Sequence, residues 1–90
     1  MTAAVDLQVA LHLAQQTTPT AIRKRAEGLR ASAEMYEITR ADYTRAASAV
    51  QVGTLEYRRC AALAEVMAMH IAHFKAMAVE CERIARETEG

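Results

Sequence analysis

The residues best suited to chemistry in this 90-residue chain are two histidines three positions apart, His70 and His73. On a helix that spacing projects both imidazoles from neighbouring points of one surface. Glu34 and Glu37 repeat the spacing in the first half of the chain. Two imidazoles and two carboxylates brought to one height make a donor set for zinc or iron in a bundle core. The Glu-x-x-His motif of di-iron bundles is missing, as is the His-Glu-x-x-His motif of zinc hydrolases. A structural His70–Glu37 hydrogen bond is therefore the competing and commoner arrangement. Met67, Met69, Met77 and Cys81 around the histidines suggest a soft Cu(I) site. Methionines at helical spacing more often fill core, however, and Met69 lies off the Met67–Met77 stripe. No cofactor is expected.

A second cluster is basic. Arg23, Lys24, Arg25 and Arg30 stand close together with Glu27 as the sole acid among them, and Arg40 follows further on. Such a cluster at a subunit junction suits an anionic small ligand such as a nucleotide, with Tyr36 or Tyr43 stacking on a base. The plainer reading is mutual neutralisation with Glu80, Glu87 and Glu89 along a solvated edge, worth little per pair. Catalysis has less support. Cys60 and Cys81 have no persuasive base nearby, no Gly-rich phosphate loop occurs, and no Ser-His-Asp arrangement is legible. The chain is expected not to be an enzyme.

These residues need elements to position them, and the hydrophobic rhythm supplies two. From Cys60 to Ile84 one face recurs at alternating steps of three and four: Cys60, Leu63, Met67, His70, Phe74, Met77, Cys81, Ile84. Ile22, Ala26, Leu29, Ala33, Tyr36, Arg40, Tyr43, Ala47 and Val50 keep the same beat. This is the period of a coiled-coil-like seam. Thr18 as cap and Pro19 in the first turn open one helix, expected over about 19–52. Gly53 ends it, and Thr54 with Glu56 opens the next, expected over about 54–87. Matched lengths and a minimal connection predict an antiparallel hairpin. Folding about Gly53–Thr54 pairs position x with roughly 107 minus x. That sets His70 level with Glu37, His73 with Glu34, and Arg25 with Glu82. A continuous kinked helix through Gly53 is the alternative, and it needs partner chains to cover both seams.

Residues 3–16 read two ways. Val5, Leu7, Val9, Leu11 and Leu13 alternate as in a strand, while Ala4, Leu7, Leu11 and Ala14 make a helical stripe. No other segment reads as a strand, so a short helix is expected, with an intermolecular strand pair as the exception. Gly28 falls inside the first long helix, either tolerated or marking a dent where another helix or a ligand approaches. Arg40 interrupts the seam and must reach water, an acid or a subunit boundary.

Composition narrows the function classes. Eleven basic against eleven acidic residues give formal neutrality, which argues against a dedicated nucleic-acid binder. Cys60 and Cys81 lie 21 positions apart on one expected helix, roughly 30 Å at about 1.5 Å per residue, too far to pair within a chain. Unpaired cysteines suit a reducing compartment, so a cytoplasmic setting is expected. No signal peptide and no run of about 18 apolar residues is read, so no membrane role is expected.

The strongest functional hint is the third helical segment. Between Glu65 and Lys75 nine residues, Val66 to Phe74, carry no formal charge. A helix apolar on nearly every side is normally surrounded by protein. The expectation is one all-α domain, a hairpin of two long helices plus a short N-terminal helix, assembling into a homo-oligomeric bundle. A dimer of hairpins is its simplest closed form. The expected interface is Leu63, Met67, His70, Ile71, Phe74, Met77, Tyr36 and Tyr43. The expected function is that of a small adaptor, chaperone or inhibitor that self-associates and binds protein.

Overall fold

The computed structural model describes residues 18–89, which form two α-helices: α1, Pro19–Ser48, and α2, Leu55–Glu89. The two pack against each other. The short helix or strand expected over 3–16 lies outside the described residues.

Both helix starts follow from local chemistry. Thr18 has extended backbone (φ −87°, ψ 159°) and its hydroxyl accepts from the Ala21 N–H at 3.1 Å. Pro19 follows with its ring-fixed φ, where an amide donor would have no intrahelical partner. At the second start the Thr54 hydroxyl accepts from the Tyr57 N–H at 3.2 Å and donates to the Gln51 carbonyl at 2.7 Å. Glu56 in the first turn of α2, and Arg45 and Arg86 in the last turns of the two helices, oppose the helix dipoles favourably.

α1 ends at Ser48, four residues before the expected Val52. Reversing direction takes a longer connection than Gly53–Thr54 supplies. Ala49 caps α1 through its N–H to the Arg45 and Ala46 carbonyls. Gln51–Thr54 then closes a turn, with the Thr54 N–H donating to the Gln51 carbonyl at 3.2 Å. Gly53 sits third in that turn at φ +91°, the region that type II turns require there and that glycine adopts without strain.

The centre of the hairpin is made of small side chains. Ala26, Ala33 and Ala47 of α1 and Ile71, Ala78 and Ala85 of α2 are buried, and among the described residues no large side chain is fully enclosed. Alanine facing alanine lets the two backbones approach closely. Along α1 the expected seam holds: Ile22, Leu29, Tyr36, Tyr43 and Val50 are half-buried around the alanines, and Arg40 reaches water. Along α2 the buried line is Ile71, Ala78 and Ala85, to one side of the expected stripe. Cys60, Met67, Phe74, Met77 and Cys81 are half-buried on its flank, while Leu63, His70 and Ile84 are exposed.

Candidate interaction surface

The two flanks of the seam differ in chemistry. Three ion pairs cross one flank at seven-residue spacing: Arg23–Glu89, Arg30–Glu82 at 2.6 Å and Lys75–Glu37 at 2.9 Å. In each, x faces 112 minus x, five positions beyond the backbone-level rule of 107 minus x. Helical side chains lean toward their own N-terminus. In an antiparallel pair the two leans diverge, so long side chains meet only when both come from later positions. Arg30 rather than Arg25 therefore takes Glu82, and Lys75 rather than His70 takes Glu37.

That engagement changes the metal candidate. With Glu37 committed to Lys75, the set Glu34, Glu37, His70 and His73 does not converge. Among the described residues no group of three or more His, Cys, Asp or Glu side chains could hold a metal ion. His70 lies edge-on to Tyr36 instead, with ring centroids 5.4 Å apart and planes at 87°. Tyr36 also meets Phe74 edge-on at 5.3 Å, and His73 lies 6.3 Å from Phe74. Edge-to-face pairs of this kind add about 0.5–1.5 kcal/mol beyond the area they bury.

The basic cluster is divided as well. Arg23 and Arg30 are held by acids of α2, whereas Lys24, Arg25 and Arg40 are exposed and take no ion pair among the described residues. The Glu82 carboxyl is kept below the usual carboxylate range by its hydrogen bond to Arg30, and the Arg30 guanidinium is raised in turn. A depression of about 390 Å³ beside the pair is lined by Arg30, Ala33, Glu34, Glu37, Lys75 and Val79. It presents as many carboxylates as cations, a poor match for a nucleotide. A second depression, about 510 Å³, is lined by Glu37, Arg40, Ala41, Thr44 and Arg45, and there the cations outnumber the acid. Arg83 is occupied within α2 by Glu80 and Glu87, which holds the Glu80 carboxyl below its ordinary range.

The other flank is apolar and aromatic, and it is open. Beside the Tyr36–His70–Phe74 cluster, Leu63 is 41 %, Val66 42 % and Ile84 39 % exposed, and Met69 further round is 72 % exposed. Of the expected interface residues, Ile71 is buried in the hairpin itself. Met67, Phe74, Met77, Tyr36 and Tyr43 are half-covered, and Leu63 and His70 face outward. Four of the six serine and threonine hydroxyls in the helices, those of Thr39, Thr44, Ser48 and Thr88, turn back onto carbonyls of their own helices. None of them offers a polar bridge between the helices.

Sequence reasoning missed the second line of α2. Glu56, Arg59, Leu63, Val66, His70, His73, Met77, Glu80, Ile84 and Glu87 recur at steps of three and four. The line is apolar or uncharged from Leu63 to Met77 and charged on either side of that stretch except at Ile84. It shares Leu63, His70, Met77 and Ile84 with the expected stripe, which merged two adjacent lines into one. α2 is also the one described helix long and apolar enough to cross a membrane, by length and composition only. Comparison with protein-family models, with curated proteins and with solved structures finds no match in any of the three.

Proposed function

We propose that this chain is a non-enzymatic interaction protein that works by self-association and by presenting a helical surface to a protein partner. The observation that carries this is the open apolar flank of α2 beside a hairpin centre made of five alanines and one isoleucine. Alanine burial removes little apolar area from water, so the hairpin alone gains little from its own seam. Small domains with small cores usually reach useful stability through oligomerisation. An apolar helix face left in water is the matching half of that requirement. The protein's action is accordingly one of surface rather than of reaction.

Light scattering coupled to size exclusion tests the reading directly. A defined oligomer of the 90-residue chain is expected, and a well-folded monomer at every concentration would overturn it. Thermal-shift screening against nucleotides and divalent cations is expected to give no stabilisation. A clear shift with a nucleotide would favour the exposed cations Lys24, Arg25 and Arg40 as a binding surface instead.

A further inference from the structure

Resting on the self-association just proposed, we infer that the occupant of the open flank is a second copy of this chain, with α2 packed antiparallel to its symmetry mate about the His70–His73 level. The outer line of α2 has its apolar part, Leu63, Val66, His70, His73 and Met77, near the middle of the Leu55–Glu89 helix. Two such helices crossing at that level superimpose their apolar parts over nearly their whole lengths. The heptad spacing supplies the matching knobs and holes.

Charge selects the orientation. Glu56 and Arg59 stand on the line at its N-terminal end, and neither takes an ion pair among the described residues. Glu80 and Glu87 stand on the line at its C-terminal end, where both also pair with Arg83 of their own helix, so two carboxylates share one guanidinium and one net negative charge is left. A parallel pair would set Arg59 against the partner copy's arginine and the acids against acids. The antiparallel pair brings each Arg59 to Glu87 of the other copy, twice by symmetry, while setting Glu56 level with that same acid. The parallel pair has only like-charge contacts at its two ends, whereas the antiparallel pair gains two Arg59–Glu87 contacts against one Glu56–Glu87 approach at each end, so charge favours the second. The opposite flank cannot serve equally, because its three cross-helix ion pairs already occupy it.

The two orientations differ in which positions meet their own copies. In a parallel pair every position on the line does so. In the antiparallel pair only those near the two-fold axis do. The test uses the full chain with Cys60 and Cys81 replaced by serine, carrying His70→Cys, His73→Cys, Leu63→Cys or Val79→Cys in turn. Disulfide-linked dimer is expected at 70 or 73 and not at Leu63→Cys. None is expected at Val79→Cys, on the charged flank. Linking at 63 as fast as at 70 and 73 would overturn the antiparallel arrangement, and linking fastest at 79 would overturn the choice of flank. An oligomer that links at neither 70 nor 73 would sink this arrangement while leaving self-association standing. A monomer in light scattering would sink both. Helix content by circular dichroism identifies any variant that has failed to fold.

A second readout does not depend on new cysteines. Arg59→Glu is expected to weaken dimerisation by roughly two- to fivefold for each pair lost, the range for exposed ion pairs, with the weakening reduced at high salt. Unchanged dimerisation would overturn the charge argument. Co-flotation of the chain with phosphatidylcholine vesicles in place of dimerisation would assign the apolar flank to lipid and overturn the proposal.

Discussion

At the scale of single residues, the Thr54 side chain carries two hydrogen bonds that hold the turn to the helix, one to the Tyr57 N–H and one to the Gln51 carbonyl. Thr54→Ala removes both and is expected to cost about 1 kcal/mol, read as a lower denaturant midpoint at unchanged slope. Gly28 is open to two readings in the sequence, and the structure separates them within the single chain. Apart from the helix's own adjoining backbone, nothing lies within 4 Å of where its Cβ would stand. Gly28→Ala is therefore expected to stabilise the hairpin by up to about 1 kcal/mol in thermal melts. Loss of stability there would mean that another chain approaches that backbone. Glu82 gives a pH sign. Its carboxyl is depressed in the folded chain by Arg30, so its contribution is present above the ordinary carboxylate range and is lost as pH falls through the depressed value. Melting temperature should drop on acidification, and less so in Glu82→Gln. Both groups are exposed, which keeps the effect small.

At the scale of elements, the two helices were unequally legible. The caps Thr18 and Thr54, Gly53 and the α1 seam all announce themselves by residue type and spacing, and the structure keeps them. The seam of α2 did not, because its central line is Ile71, Ala78 and Ala85. Alanine carries little hydropathy, so the eye follows Leu63, Met67, Phe74 and Ile84 to a line that is partly outside. The ion-pair register was hidden for a different reason: position rules track the backbone, while charged side chains lean along it. The Glu34/Glu37/His70/His73 constellation depended on that register and dissolved with it. Close alanine packing makes a sharp prediction. Ala78→Leu forces extra volume between two backbones and should cost about 1–3 kcal/mol, whereas Val79→Leu, one position on and 60 % exposed, should be close to neutral. Equal effects would mean that α2 is not seated on its alanine face.

At the scale of the whole molecule, a two-helix hairpin and an assembly built from it differ in how stability depends on concentration. If only the hairpin folds, its melting temperature is independent of concentration. If the open flank of α2 is covered by a second copy, association stabilises the folded state by mass action, and the melting temperature rises with protein concentration. Val66→Glu distinguishes the contributions, because Val66 is 42 % exposed and stands off the buried line of the hairpin. The substitution places two carboxylates against the partner copy's apolar surface while leaving the Ala26–Ala85 seam intact. It should abolish the concentration dependence and leave the dilute-limit stability within about 0.5 kcal/mol of the parent. An equal drop at all concentrations would instead place Val66 in the hairpin's own core, leaving the apolar flank without its role in assembly.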